Sequence, residues 1–153
     1  MNEKILIVAS VWGFAAKFES EDIRLLKELG YEVHLASNRS NPIFRFPEDV
    51  YENMGIIYHD TEIWQSPFGI SHNIRAIRQI REIIRKEKIK TVHCHTPSGG
   101  MVARLAAFGL KAYVIYTAHG FHFYRGAGRI HNFVYHTVEN LLSRMTDVIV
   151  TIN

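Results

Sequence analysis

Apolar residues are grouped along the chain into short continuous runs that alternate with amphipathic segments. The runs Lys4–Ser10 and Tyr31–Ser37 are typical of strands that are covered on both faces of a sheet. In the amphipathic segments, apolar residues recur every three or four positions, as Ile74, Ile77 and Ile80 do. The pattern therefore predicts strands that alternate with helices.

Six strands and four helices are predicted from this pattern. The strands cover residues 4–10, 31–37, 55–59, 89–95, 112–118 and 147–152. The first helix follows the loop 11–14 and runs to about residue 29, and the other helices cover about 71–88, 101–108 and 130–145. Residues 38–47 are predicted to form a loop, and Pro97 with the following glycine pair is predicted to form a turn. The alternation predicts an α/β fold with a Rossmann-like, doubly wound, mainly parallel sheet and helices on both faces. Ligands of such sheets bind beyond the carboxyl ends of the strands.

Composition narrows the class of protein. The 153 residues fit one domain, and a content of 47% hydrophobic residues excludes a disordered chain. A single cysteine, Cys94, excludes a disulfide framework and fits a reducing compartment. No apolar run approaches the roughly 18 residues that span a bilayer. The run 5–16 also lacks a signal-peptide cleavage pattern, so it is interpreted as a strand with its loop.

The net charge of +3 is concentrated in one helix. Residues 73–90 hold seven basic and two acidic side chains, which gives this segment a charge of +5. Nothing here indicates a nucleic-acid-binding module. Two interpretations stay open: a solvated outer helix face, or contact with anionic lipid head groups or a polyprenyl phosphate. The residues expected to face a membrane are Arg75, Arg78, Arg81 and Arg85.

Histidines stand at the predicted ends of two strands. His93 and His95 are two residues apart on one strand, so both lie on the same sheet face, whereas Cys94 points to the other face and is interpreted as packing. His119 directly follows the next strand and precedes a glycine. In a Rossmann-like sheet the fourth strand lies between the first and the fifth, so His95, His119 and the loop of Gly13 are predicted to converge on one cleft. Imidazole groups at a cleft mouth can exchange hydrogen bonds near neutral pH or bind a metal. His93 is interpreted as structural, His95 stays open, and His119 is the favoured functional histidine.

The loop after the first strand carries one glycine, in SVWGF. Gly13 alone does not match the three-glycine dinucleotide fingerprint, so nicotinamide or flavin binding has little support. The loop is either a ligand-facing segment or a plain tight turn. A metal site is disfavoured because no acidic residue lies close in sequence to the histidines.

Several of these segments together resemble a known family. HCHTPSGG (residues 93–100), YTAHGFHFYRG (116–126), KILIVAS (4–10) and the segment 138–153 resemble the N-terminal half of bacterial glycosyltransferases of family 4, of the exopolysaccharide and capsule type. The resemblance covers essentially the whole chain. It implies one acceptor-side domain, residues 1–153, of a GT-B enzyme, whose nucleotide-sugar donor domain would lie outside this chain.

The resemblance also implies roles for particular residues. His119 would lie beside the reacting sugar as the catalytic residue. The expected acceptor-binding and donor-phosphate-binding residues are Trp12, Gly13, Phe14, His95, Gly120, Phe121, His122 and Tyr124. Relatives often carry a histidine or another polar residue in the first loop, where this chain has Trp12, Gly13 and Phe14.

The resulting expectation is a retaining sugar transferase of surface polysaccharide assembly. It would use a nucleotide sugar as co-substrate and no metal or other cofactor. The acceptor would be a lipid-linked sugar or another saccharide, met in the cytoplasm or at the cytoplasmic face of the membrane. Two alternatives stay open: a stand-alone Rossmann-like ligand-binding module without catalysis, and a metal-dependent hydrolase that uses His93, His95, His119 and His122.

Overall fold

The computed structural model describes residues 3–40, 43–66, 69–120, 126 and 128–152. The strands are β1 (Lys4–Val8), β2 (Glu32–Ser37), β3 (Ile57–Asp60), β4 (Thr91–His95), β5 (Tyr113–Ala118) and β6 (Val148–Thr151). The helices are α1 (Phe14–Phe18), α2 (Ser20–Glu28), α3 (Val50–Asn53), α4 (Ile70–Lys86), α5 (Pro97–Ala107) and α6 (Arg129–Ser143). None of the described helices is both long enough and apolar enough to cross a membrane.

The six strands form one parallel sheet in the order β3-β2-β1-β4-β5-β6. The chain moves outward from β1 to β3, crosses to β4 on the other side of β1, and then moves outward again. The strand order therefore reverses between β1 and β4. This doubly wound Rossmann-like sheet confirms the predicted fold class, and the reversal marks the edge where ligands of such folds bind.

Alternating residues of the central strand enter two different cores. Ile5 and Ile7 pack in the cluster that includes Ile23 of α2, whereas Leu6 and Val8 pack in the cluster that includes Ile80 of α4. The alternation follows from the two-residue period of a strand. It explains the continuous apolar run of β1, because both of its faces are covered.

The single helix predicted between the first loop and about residue 29 is wrong, because the segment forms two helices, α1 and α2, that meet at Glu19. The backbone of Glu19 leaves helical geometry, with φ −114° and ψ 7°. Its amide still donates to the Ala15 carbonyl, and its own carbonyl accepts from Ile23. The break was not predictable from hydrophobic periodicity because apolar residues continue on both sides of it. Its effect is to bury the Glu19 side chain, which is 5% exposed.

One further prediction of local structure is wrong, and one short helix was missed. The glycine pair after Pro97 is not a separate turn, because α5 begins at Pro97 and includes both glycines in its first turn. Thr96 caps this helix by accepting the amide proton of Gly99 (3.3 Å). The short helix α3 was also not predicted, and Tyr51 anchors it in the core at 2% exposure.

A buried arginine links α5 to α6. Arg104 is fully buried, and its guanidinium pairs with both carboxylate oxygens of Glu139 at 2.9 and 3.2 Å. It also lies over the Tyr116 ring, 4.1 Å from the ring centroid, and donates to the Gly100 carbonyl. Burying a charge costs free energy unless the charge is paired in this way.

We expect Glu139→Gln to lower the free energy of unfolding by about 3 kcal/mol, because it leaves the buried Arg104 charge without its carboxylate. The matched control is Glu28→Gln, which removes a carboxylate from the exposed Arg24–Glu28 pair and should cost less than about 1 kcal/mol. Urea denaturation of both variants measures the difference. Equal losses in the two variants would contradict a structural role for the buried pair.

Candidate functional site

A cluster of imidazole and aromatic rings lies at the edge where the strand order reverses. His95 is the last residue of β4, His119 directly follows β5, and Phe14 begins α1 after β1. Parallel strands bring their carboxyl ends to one edge, so these three segments meet although they are far apart in sequence. The Phe14 ring centroid lies 5.4 Å from that of His95 and 5.3 Å from that of His119.

The two histidines of the cluster face each other. His95 Nδ1 lies 3.3 Å from His119 Nε2. His95 is buried at 1% exposure, whereas His119 is exposed. A buried imidazole therefore holds an accessible one at the surface of the cleft.

The His93 ring packs against the His95 ring on the same strand, β4. The two ring centroids are 4.2 Å apart, which confirms that these side chains share a sheet face. His93 Nε2 is hydrogen-bonded to Thr117 Oγ1 at 2.8 Å. Cys94 is fully buried on the other face. The contacts of His93 fit a structural histidine.

Glu19 is the acidic member of the cluster, and sequence reasoning missed it. Its Oε1 lies 3.4 Å from His95 Nδ1. The residue stands between α1 and α2, where the chain offers no motif that would mark it. No sequence signal distinguishes it, because Glu19 is followed by Ser20, Glu21 and Asp22, a polar run typical of an exposed helix start.

Burial keeps the imidazoles neutral and disfavours the Glu19 carboxylate. Desolvation lowers the pKa of His95 to about 2, with smaller contributions from His93 and His119. Desolvation likewise lowers the pKa values of His93 and His119. Burial, followed by the nearby Asp22 carboxylate, raises the pKa of Glu19 to about 7. The neutral imidazoles therefore carry nitrogen lone pairs that can accept hydrogen bonds or bind a metal. Among the described residues, no lysine or arginine forms an ion pair with Glu19.

The sequence of the chain is similar to those of known proteins. The sequence model of the family described as "Glycosyl transferase 4-like" matches residues 4–152. The chain belongs to this family. It is also 38% identical over 156 aligned positions to EpsD of Bacillus subtilis (strain 168), whose name describes it as a glycosyltransferase. The alignment covers the whole of this chain but 38% of EpsD, so the chain spans well under half the length of this relative.

Solved structures share the fold of this glycosyl transferase 4-like domain. MurG of Acinetobacter baumannii has a TM-score of 0.68 at 14% identity, with 97% of this chain and 41% of MurG covered. A glycosyltransferase from Rickettsia africae ESF-5 has a TM-score of 0.61 at 19% identity, with 99% and 43% covered. A UDP-N-acetylglucosamine 2-epimerase has a TM-score of 0.67 at 15% identity, with 97% and 41% covered. The architecture is thus the N-terminal half of a GT-B fold.

The first loop of this glycosyl transferase 4-like domain is tightly packed. Trp12 is buried, and its ring makes an edge contact with Tyr51, whose hydroxyl donates to the Trp12 carbonyl. A Cβ on Gly13 would lie 2.5 Å from Phe44 Cβ and 2.8 Å from the Phe44 carbonyl oxygen. The absence of a side chain at Gly13 therefore lets the Phe44 backbone approach. These contacts favour the tight-turn interpretation, and Phe14 is the loop residue whose ring reaches the histidines.

The loop after His119 is described only in part. Gly120 is exposed, has a φ of +150°, and has no heavy atom within 4 Å of the position a Cβ would take. Phe121, His122 and Tyr124 lie outside the described residues. The proposed binding roles of all four residues stay predictions.

The arginines of the basic helix α4 differ in their contacts. Some bind neighbouring groups of the domain, and others are exposed. Arg75 Nε lies 2.6 Å from a Glu62 carboxylate oxygen. Arg81 Nη1 donates to the carbonyls of Ala106 and Phe108, both at 2.8 Å, at the end of α5. Arg78 and Arg85 are exposed. All four arginines were expected to face a membrane. Arg78 and Arg85 are the best placed for such a contact, because their side chains are exposed.

We expect Gly13→Ala to lower the free energy of unfolding by about 1–3 kcal/mol, because the added methyl group collides with Phe44. The matched control is Gly128→Ala, where no heavy atom lies within 4 Å and φ is −57°; its effect should be about 1 kcal/mol or less. Thermal and urea unfolding compare the two variants. An unchanged stability for Gly13→Ala would show that the loop is loosely packed.

Proposed function

We propose that this domain is the acceptor-binding half of a retaining glycosyltransferase. The enzyme would move a sugar from a nucleotide-sugar donor to a lipid-linked or other saccharide acceptor in surface polysaccharide biosynthesis. The observation that carries the proposal is the pair of facing imidazoles, His95 and His119, at the strand-order reversal of a glycosyl transferase 4-like domain. The EpsD relative, whose name describes it as a glycosyltransferase, supports the sugar-transfer activity.

The chemistry of sugar transfer fits a neutral imidazole at this position. The reaction needs an acceptor hydroxyl held in line with the sugar and water kept away. His119 is accessible, and its lowered pKa keeps the ring neutral, so it can accept or donate a hydrogen bond. The neighbouring His95 and Phe14 rings restrict the positions that the His119 ring can adopt.

The donor diphosphate needs a second set of residues. A leaving diphosphate is stabilised by positive charge or by helix N-termini. The described part of the histidine cluster brings in no lysine or arginine. We therefore assign the donor to a further domain, with no metal required for transfer. The exposed apolar side chains of α6, Ile130 and Phe133, offer one surface on which such a domain could pack.

The site of action would be the cytoplasmic face of the membrane, with peripheral contact. Arg78 and Arg85 lie on the outer surface of α4, where Lys86 adds a further charge. Each basic side chain near an anionic membrane surface contributes roughly 1 kcal/mol of attraction. This contact would hold the domain near a lipid-linked acceptor.

We expect His119→Ala, in the longer enzyme that contains this domain, to lower the turnover of sugar transfer by at least about a hundredfold. The reason is the loss of the hydrogen-bonding group beside the reacting sugar. Because His119 is exposed, the variant should keep the unfolding temperature of the wild type. The 153-residue chain alone is expected to transfer no sugar.

The matched control for this experiment is His72→Ala, which removes a partly exposed histidine from the first turn of α4, away from α6 and from the cluster. It should retain full turnover. Turnover of His119→Ala close to that of the control would overturn the proposed role. Sugar transfer by the isolated chain would overturn the need for a donor domain.

We expect the double variant Arg78→Gln/Arg85→Gln to lose binding to vesicles that contain anionic phospholipid, because it removes two exposed charges without touching Arg75 or Arg81. The charge-matched control is Arg129→Gln/Arg144→Gln, on and after α6. Co-sedimentation with the vesicles measures binding. Equal binding by both variants, or no binding by the wild type, would count against membrane contact through α4.

A further inference from the structure

Three side chains of the cluster are arranged as a metal site. One ligand atom each from Glu19, His95 and His119 lies within 4.8 Å of the other two. The residues come from the α1–α2 junction, the end of β4 and the end of β5, so three separate elements converge on one point. We propose that Glu19 Oε1, His95 Nδ1 and His119 Nε2 bind a zinc-class divalent cation.

The spacing of the ligand atoms supports coordination. Bonds of about 2.0–2.2 Å to a tetrahedral zinc ion separate neighbouring ligand atoms by about 3.3–3.6 Å. His95 Nδ1 lies 3.3 Å from His119 Nε2 and 3.4 Å from Glu19 Oε1. Hydrogen bonds donated by N–H groups are usually shorter, about 2.7–3.2 Å. Both distances thus fall in the range expected between neighbouring ligand atoms of a tetrahedral ion.

The charge of the cluster favours a cation. Glu19 is a buried carboxyl group with the Asp22 carboxylate beside it. Within the described ranges, no lysine or arginine forms an ion pair with Glu19. A metal ion needs a deprotonated carboxylate and neutral imidazoles, and it would neutralise the buried carboxylate in return. Two imidazoles and one carboxylate are a ligand set that zinc accepts.

The ligands are held in place by their surroundings. The His93 ring packs against His95 at a centroid distance of 4.2 Å, and His93 is itself fixed by its hydrogen bond to Thr117. The Phe14 ring packs against both ligating histidines. His119 is exposed, so solvent reaches the site and a fourth coordination position can open toward it.

Metal binding would compete with sugar transfer. The ion would coordinate His119 Nε2. This nitrogen could then no longer form a hydrogen bond to the substrate. This consequence rests on the proposed function, whereas binding of the ion does not. The cation would therefore act as an inhibitor of the transferase and not as its cofactor.

The test is calorimetric titration of the 153-residue chain with zinc chloride at neutral pH, after removal of any histidine tag. We expect one zinc ion per chain and a higher unfolding temperature with zinc. Glu19→Gln and His119→Ala should each weaken binding at least about tenfold. Magnesium should bind far more weakly, because it prefers ligand sets made of oxygen atoms.

The matched controls are His131→Ala and Glu21→Gln, which remove one exposed histidine and one exposed carboxylate. Both should bind zinc like the wild type. Circular dichroism confirms that each variant is folded, and Glu19→Gln keeps the shape of the side chain. Absence of zinc binding, or binding that survives both ligand substitutions unchanged, would overturn the proposal. Because no sugar is involved, this result is independent of the proposed transferase activity.

Discussion

The parallel pairing of β1 with β4 is the constraint on which the site depends. Ile7 lies opposite His93 and Val8 opposite Cys94 in the register of these strands. This register brings the end of β4 level with the loop that leaves β1, so His95 meets Phe14 and Glu19. A shift of one residue would turn the histidines of β4 to the face that α4 and α5 cover. The chemistry of the cleft is therefore a direct consequence of strand register.

Much of the architecture could be predicted because its cause is local. Apolar runs marked all six strands to within about two residues. In the central strand β1 the run is apolar because both faces are covered, whereas the edge strands β3 and β6 were marked by their apolar residues although they are more exposed. Two-residue alternation placed His93 and His95 on one face, and the Rossmann-like strand order brought His95 and His119 together. These inferences needed only periodicity and one rule about parallel sheets.

The features that were missed depend on contacts between distant segments. Glu19 looks like a surface residue in the sequence, and it is buried because the chain bends between α1 and α2. Arg104 is the one charged residue in an apolar, alanine-rich helical segment, and the sequence does not show that Glu139 and Tyr116 are its partners. Arg81 was expected at a membrane surface, whereas it also binds the carbonyls that end α5. A sequence pattern cannot show which partner reaches such a side chain.

The ion pair between α5 and α6 has a consequence for the way the domain assembles. Arg104 precedes Glu139 by 35 residues in the chain. During synthesis, α5 could therefore pack on the sheet before the carboxylate that pairs with Arg104 is present. Desolvating an unpaired guanidinium is unfavourable. Partly folded forms in which α5 is packed and α6 is absent are therefore disfavoured. The buried charge couples the two helices into one cooperative folding unit.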